Sequence, residues 1–355
     1  MKGLSILFKC ILICMVASLA GCASPPAPQI PQPILGVTCE TPPPFHCADT
    51  GCAMDLLANR GNATDPKTGR QFFLDYPCDL KQGEKVTFVL NLHGGGSIGN
   101  WQRHYFPIMD LKEKYRLVIA TPSGTNRGWG ANDDDAHLEN IVNLVYDAFG
   151  VENIKAFWLA GHSLGGQTCN RILTKDFYTE KLTGWVSLSG GRLGSKRSEV
   201  RADIPPRTGA TSPRPGPTTQ DTPPRPRGLV AYAEILPDFT FSHIYTSGEH
   251  ELPEAIGIPT KSPWAEKLGC DVRTQLPDIA DTKAGYVGGT RAEGQNPIWG
   301  LDARPGRAKV YVYPNCDNGR IVADIFRVDK GHIEGLEPNV TEEIVKMMMS
   351  VGDSK

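Results

Sequence analysis

A Gly-x-Ser-x-Gly motif constrains this chain more than any other feature. Gly161-His162-Ser163-Leu164-Gly165 follows a short apolar run, Ala156–Ala160, and precedes a helical pattern over residues 167–173. A motif between strand and helix places its serine in a strained turn, where glycines let the backbone pack closely. The alternative is a Gly-rich turn with a capping serine, and the strand-to-helix context disfavours it. We therefore predict that Ser163 is a nucleophile.

The surrounding sequence predicts a mostly parallel central sheet covered by helices on both faces. From about residue 70 onward, short apolar runs alternate with helix-like patterns, as is typical of this α/β architecture. Asp133 and Asp134 are available to cap the first long helix. The predicted strands are Gln71–Tyr76, Val86–Leu92, Leu117–Thr121, Ala156–Ala160, Trp185–Leu188, His243–Thr246 and Ile321–Val328, and the predicted helices include Asp135–Phe149 and Thr341–Met349.

A nucleophilic serine needs a base within hydrogen-bonding reach. If nucleophile, acid and histidine follow one another along the chain, only His243, His250 and His332 come late enough. His243 lies inside a predicted strand, whereas His332 follows the final strand and precedes the last helix. We predict His332 as the general base.

The acid that orients the base should come from a loop at the same edge of the sheet. The predicted strand around His243 opens into Gly248-Glu249-His250-Glu251, which offers two carboxylates. We predict Glu251 as the acid, because it lies three residues after the strand-ending glycine, with Glu249 as the alternative. Asp329 is a third candidate and lies beside the base in sequence, on its own strand.

A glycine-rich loop follows the second predicted strand, in Leu92-His93-Gly94-Gly95-Gly96. Its backbone N–H groups can turn toward a ligand, and we predict that those of Gly94 and Gly95 form an oxyanion hole with that of Leu164. A phosphate-binding loop is the competing interpretation. It fails because no Gly-Lys-Ser/Thr completes it and no helix starts at once. We expect neither a metal nor a cofactor.

The first residues predict export. Lys2 and Lys9 flank the start of the apolar run Cys10–Leu19, which is too short to span a membrane, and we predict a signal peptide over residues 1–21. Leu19-Ala20-Gly21-Cys22 resembles the bacterial lipobox, which implies acylation of Cys22 and membrane attachment through the lipid. An ordinary signal peptide with a chance cysteine is the alternative. We expect the cell envelope, with the outer membrane implied by Ala23, or secretion.

Two proline-rich segments interrupt the chain, one before the catalytic domain and one within it. Residues 22–45 are predicted to form an extended tether, which leaves one catalytic domain over residues 46–355. Within it, Pro205–Arg227 is rich in proline and arginine, so we predict a surface insertion at about 203–228. It is either a disordered insertion or a basic flap that selects acidic or polymeric substrates.

Export makes the remaining cysteines candidates for disulfides. We predict a bridge between Cys270 and Cys316 ahead of the last strand, and Cys169 as a small buried hydrophobe. Two further bridges are expected among Cys39, Cys47, Cys52 and Cys78, for which three pairings are possible.

The charge balance excludes some partners. The 37 basic and 39 acidic side chains give a formal net charge of -2, so no global field attracts nucleic acid or an anionic membrane surface. We expect no nucleic-acid partner.

Taken in order, these motifs resemble those of secreted α/β-hydrolase esterases related to polyhydroxybutyrate depolymerases and feruloyl esterases. The matching residues are Leu92-His93-Gly94-Gly95-Gly96, Trp129 with Asp133-Asp134, Gly161-His162-Ser163-Leu164-Gly165, Cys270, Cys316 and Gly331-His332. The resemblance covers about residues 70–345 and implies an α/β-hydrolase fold. It implies a serine esterase that cleaves a polyester, a hydroxy-acid ester, or an aromatic or acetyl ester through an acyl-enzyme.

The chain departs from that family at the residues around Ser163, at Gly331-His332-Ile333, which lacks the usual Trp-Pro, and in the proline-rich insertion. Lipid-anchored relatives include hydrolases of oxidised polyvinyl alcohol, which cleave a carbon–carbon bond in β-diketones with the same triad. A β-diketone hydrolase is therefore one alternative. A non-catalytic envelope protein that uses the fold as a binding module is another.

Overall fold

The computed structural model describes residues 28–40, 60–195, 232–251, 257–286, 300 and 303–351. The predicted signal peptide (1–21), Cys22, Cys47, Cys52 and the insertion at about 203–228 lie outside the described residues.

A large mixed sheet forms the centre of the molecule. Its strands lie in the order β1-β2-β4-β3-β5-β6-β9-β13-β12-β10, and β11 also pairs with β12. The run from β4 to β13 is parallel, whereas β2 and β12 are antiparallel to their neighbours. Strands β7 and β8 form a separate parallel pair. The strands are β1 (Ala63–Thr64), β2 (Gln71–Asp75), β3 (Val86–Leu92), β4 (Leu117–Pro122), β5 (Ile154–His162), β6 (Gly184–Leu188), β7 (Arg192–Leu193), β8 (Tyr232–Ala233), β9 (Ser242–Gly248), β10 (Thr274–Gln275), β11 (Ile279–Ala280), β12 (Arg307–Tyr313) and β13 (Val322–Val328).

Helices cover both faces of this sheet. Side chains alternate along β3, so Phe88 belongs to one buried apolar cluster and Val89 to the other. The first cluster includes Leu138 of α3, and the second includes Ile344 of α7. The helices are α1 (Gly99–Tyr105), α2 (Lys112–Tyr115), α3 (Ala131–Phe149), α4 (Leu164–Ile172), α5 (Asp176–Thr179), α6 (Pro263–Lys267) and α7 (Pro338–Ser350). The predicted α/β-hydrolase fold is confirmed.

No helix in the described ranges combines the length and apolar character needed to cross a membrane.

The long helix α3 begins earlier than the sequence suggests. Gly130 is its N-cap, and Asp134 lies in the first turn, where its carboxylate accepts hydrogen bonds from the N–H groups of Gly130 (2.6 Å) and Thr125 (2.9 Å). An acidic side chain is favourable there because the helix N-terminus carries positive partial charge. Asp134 therefore caps the helix from within and does not precede it.

The predicted tether over residues 22–45 is too long. Ile34 and Val37 are buried in the core of the body, and the Ile30 N–H donates to the Leu80 carbonyl at 2.9 Å. Burial of these two apolar side chains stabilises the segment on the body. Proline content alone does not reveal this effect. Residues 28–40 therefore belong to the folded body.

Two of the cysteine predictions are confirmed. Cys270, which follows α6, is bonded to Cys316 in the connection between β12 and β13. Cys169 on α4 is completely buried, and burial raises the pKa of its thiol. It packs as a small apolar side chain.

Candidate active site

Ser163 lies in a strained turn between β5 and α4. Its backbone has φ 51° and ψ -117°, a region that non-glycine residues rarely occupy. The flanking glycines are required by close packing: a Cβ on Gly161 would lie 2.5 Å from the Gly165 carbonyl carbon, and a Cβ on Gly165 would lie 2.4 Å from the Leu92 carbonyl oxygen. The motif therefore folds as a nucleophile elbow.

The structure brings Ser163, His332 and Glu251 into one hydrogen-bonded chain. Ser163 Oγ lies 2.8 Å from His332 Nε2, and His332 Nδ1 lies 2.5 Å from Glu251 Oε2. An imidazole with its proton on Nδ1 donates to the carboxylate and accepts the serine hydroxyl proton. The side chains of His332 and Glu251 are both buried, so water does not compete for these bonds.

Glu251 is fixed by donors at its other oxygen. Its Oε1 accepts hydrogen bonds from Ser189 Oγ at 2.8 Å and from the Gly248 N–H at 2.7 Å. The single 3₁₀ turn Glu249–Glu251, directly after β9, directs this side chain inward. The acid is thus held in place before it contacts the imidazole.

The two other candidate acids lie outside this chain of bonds. Glu249 accepts the Asp329 backbone N–H at 2.7 Å. The Asp329 carboxylate pairs at the surface with His250 at 2.7 Å and with Arg304 at 3.2 Å. The structure therefore favours the leading sequence candidate, Glu251.

The glycine-rich loop lies against Ser163. A Cβ on Gly94 would be 3.3 Å from Ser163 Cβ, and one on Gly95 would be 3.4 Å from Leu164 Cδ2. Within the described part of the chain, the N–H groups of Gly94, Gly95 and Leu164 donate to no other residue. Free donors beside a nucleophile are what an oxyanion hole requires.

His93 braces this loop. Its Nδ1–H donates to the Gly94 carbonyl at 2.7 Å, and its Nε2 accepts the Gly124 N–H at 2.8 Å. Its own carbonyl accepts the Trp129 indole N–H at 2.7 Å. Burial lowers the pKa of His93 to about 4, which keeps the ring neutral. His93 is therefore a structural element of the loop.

Sequence reasoning missed Ser189 and the contacts of His162. Ser189 directly follows β6, whose neighbours β5 and β9 are followed by Ser163 and Glu251 at the same sheet edge. Its place after a buried apolar strand was the signal that could have found it. His162 Nε2–H donates to the His332 carbonyl at 2.8 Å, an interaction that no sequence spacing reveals.

Neither the protein-family models nor the curated proteins give a match to this chain. Among solved structures, the chain is similar to butyrate-bound esterase 2 of Thermogutta terrifontis, with 13% identity and a TM-score of 0.33 over 61% of this chain and 78% of that one. The same esterase phosphonylated by cyclosarin gives 12% identity and a TM-score of 0.33 over 52% and 68% of the two chains. A monoglyceride lipase of Saccharomyces cerevisiae gives 17% identity and a TM-score of 0.26 over 33% and 40%. At these scores, none of them assigns a function to this chain.

Proposed function

We propose that this chain is a serine hydrolase that cleaves carboxylic ester bonds through an acyl-enzyme intermediate. The carrying observation is the Ser163–His332–Glu251 chain, with contacts of 2.8 and 2.5 Å. A serine hydroxyl, an imidazole and a carboxylate in this order constitute an activated nucleophile. The neighbouring N–H groups of Gly94, Gly95 and Leu164 can stabilise the negative charge that develops on the carbonyl oxygen.

Acylation starts when Ser163 Oγ attacks the ester carbonyl carbon and His332 Nε2 takes the hydroxyl proton. The carbonyl oxygen gains negative charge, which the free backbone donors stabilise, and Glu251 stabilises the imidazolium. The tetrahedral intermediate then breaks its bond to the alkoxy group. His332 returns the proton to that oxygen, so an alcohol leaves and the acyl group stays on Ser163.

Deacylation repeats these steps with water. His332 Nε2 accepts a proton from water as its oxygen attacks the acyl-enzyme carbonyl, and the same donors stabilise the second oxyanion. Collapse breaks the bond to Ser163 Oγ, which recovers the proton. The product is a carboxylic acid. Each proton is transferred through His332. The proposed substrates are polyesters, hydroxy-acid esters, and aromatic or acetyl esters.

Substitution of the triad tests this proposal. In residues 23–355, Ser163→Ala should lower kcat for p-nitrophenyl acyl esters by roughly 10⁴-fold or more. Glu251→Gln should lower kcat by roughly 10⁴-fold, because the amide no longer stabilises the imidazolium. Glu249→Gln is the matched control, because it lies in the same three-residue turn and removes the same charge. It should retain nearly full activity. Wild-type turnover equal to that of Ser163→Ala would refute the proposal.

A substrate panel separates the alternatives. Cleavage of a β-diketone with no turnover of hydroxyalkanoate, feruloyl or acetyl esters would favour the carbon–carbon hydrolase, in which the leaving group is an enolate. If the wild type and Ser163→Ala both bind an ester tightly and neither turns it over, the binding module is favoured. Ester turnover that requires Ser163 supports the proposal.

We also propose that the enzyme is held at the cell envelope by a lipid on Cys22, on the strength of Leu19-Ala20-Gly21-Cys22 after the apolar run. Metabolic palmitate labelling of the full chain should be lost in Cys22→Ala and retained in Cys14→Ala, which removes a thiol from within the apolar run. Labelling that persists in Cys22→Ala would contradict the anchor.

A further inference from the structure

The N-terminal segment 28–40 is attached to the body by backbone contacts at one end. Gln29 pairs with Lys81 in an antiparallel bridge. The Ile30 N–H donates to the Leu80 carbonyl at 2.9 Å, and the Gln82 N–H donates to the Pro28 carbonyl at 2.8 Å. This part of the segment is therefore aligned with the residues that follow Cys78.

The other end of the segment is attached through a buried tyrosine. The Tyr76 hydroxyl donates to the Val37 carbonyl at 2.5 Å and accepts the Ile34 N–H at 3.5 Å. Ile34 and Val37 are themselves buried, and Cys39 packs against the same apolar cluster. The contacts through Tyr76 and Leu80 flank Cys78 in sequence, so they hold the segment on both sides of that residue.

Two thiols meet between these attachments. The Cys39 thiol lies beside the Cys78 thiol, because burial and then contact with Cys78 raise the pKa of Cys39 to about 12. Both cysteines are half-buried. The Cys78 backbone N–H is held in turn by the Glu113 carboxylate, at 3.1 Å. The site therefore consists of two neighbouring sulfurs on fixed backbones, and it differs from the completely buried single thiol of Cys169.

We propose that Cys39 and Cys78 are the two halves of a disulfide that fastens residues 28–40 to the body. The oxidant is an external disulfide, as expected in an envelope compartment. One thiolate attacks it, releases one thiol and forms a mixed disulfide, and the second thiolate then displaces the other external sulfur. The two cysteines lose two protons and two electrons, and the external disulfide is reduced to two thiols. Among the four N-terminal cysteines, this pairing leaves Cys47 to Cys52.

Peptide mapping distinguishes the possible pairings. After blocking of free thiols, trypsin and a Glu-specific protease cut after Glu40, Arg60, Arg70 and Lys81, which places Cys39, the Cys47–Cys52 pair and Cys78 in three peptides. Unreduced protein should yield the peptide ending at Glu40 joined to Gln71–Lys81, and reduction should separate them. Cys78 joined to the 41–60 peptide, or both thiols blocked in protein purified from the envelope, would overturn the proposal.

Matched variants give a second measurement. Cys39→Ser and Cys78→Ser should each lower Tm by roughly 5–10 °C, and the double variant should lower Tm no further. Additive losses would show that the two thiols stabilise the fold separately, against a shared bond. The kcat for esters should stay at the wild-type value in all three variants, because the bond lies outside the triad. The outcome is therefore independent of the proposed hydrolase activity.

Discussion

At the scale of single residues, the position before Ser163 links that serine to the backbone of His332. The His162 ring lies 4.0 Å from that of Tyr105 and 4.7 Å from that of His332, measured between centroids. Its Nε2–H and the Tyr105 hydroxyl both donate to the His332 carbonyl, at 2.8 and 3.2 Å. The backbone of the base is thus held by the residue adjacent to Ser163. Burial lowers the pKa of His162 well below its ordinary value, so the ring adds no charge beside the imidazolium.

Removal of this donor should affect catalysis more than binding. In His162→Phe the ring is kept and the N–H is lost, and we expect kcat to fall by roughly 10–100-fold with KM little changed, because the base is no longer held in reach of Ser163 Oγ. His162→Gln restores an N–H at a similar distance along the side chain and should recover part of the loss. Steady-state kinetics with separate kcat and KM values provide the measurement.

His243→Phe is a suitable control. That ring is also buried and contacts an aromatic residue, Trp185, at 4.6 Å, but its nitrogens bond to Leu193 and Trp185 and not to the triad. It should lower stability and leave kcat near the wild-type value. Equal effects of the two substitutions on kcat would mean that His162 contributes only to folding.

At the scale of secondary-structure elements, the loop between β13 and α7 is the one that positions the base. Arg327 at the end of β13 is buried, and its guanidinium donates to the carbonyls of Glu334 (2.8 Å) and Gly335 (2.7 Å) and pairs with Glu337 at 3.2 Å. The Glu334 carboxylate accepts the Gly331 N–H at 2.6 Å. Buried charges that all have partners thus fix the loop on either side of His332.

The buried parallel strands could be predicted from sequence because they form short, mostly apolar runs that are buried on both faces. Val86–Leu92 was predicted with the bounds that the structure has, and each of its seven residues is buried. The antiparallel strand β12 (Arg307–Tyr313) was not predicted. Only three of its seven residues are buried and two are charged, so it lacks the continuous buried run that the parallel strands have.

The sequence ranks Glu251 above Glu249 as the acid, but it could not exclude Glu249, for a related reason. Both residues lie within one 3₁₀ turn, and the orientation of each depends on where β9 ends. That end is determined by pairing with β13 and by the bond from the Gly248 N–H to Glu251. Sequence spacing placed both carboxylates at the edge of the sheet where His332 lies. The path of the backbone after β9 brings only Glu251 to His332.

At the scale of the whole molecule, the two apolar layers enclose histidines as neutral groups. Burial lowers the pKa of His93 to about 4 and that of His243 to about 3, and it also lowers the pKa of His162. His243 makes the bonds of a neutral ring, since its Nδ1–H donates to the Trp185 carbonyl and its Nε2 accepts the Leu193 N–H. On unfolding, such rings regain an ordinary pKa near 6.5.

The stability that these neutral rings contribute should fall as the pH falls. Between the folded and unfolded pKa values the unfolded chain binds more protons, so the stability contributed by each neutral ring is complete above about pH 6.5 and declines as the pH falls. For His243, we expect a loss of about 2 kcal/mol in the free energy of unfolding at roughly pH 5 compared with roughly pH 7.5. Urea denaturation at the two pH values should show a larger loss in the wild type, to which His93 and His162 also contribute, and a loss smaller by about 2 kcal/mol in His243→Phe. Trp185→Phe alters the same ring contact and keeps the titrating group, so it should be less stable at both pH values with an unchanged difference between them. If His243→Phe retains the full wild-type difference, then His243 takes up its proton at roughly pH 5 in the folded protein as well. In that case the neutral-ring explanation is wrong.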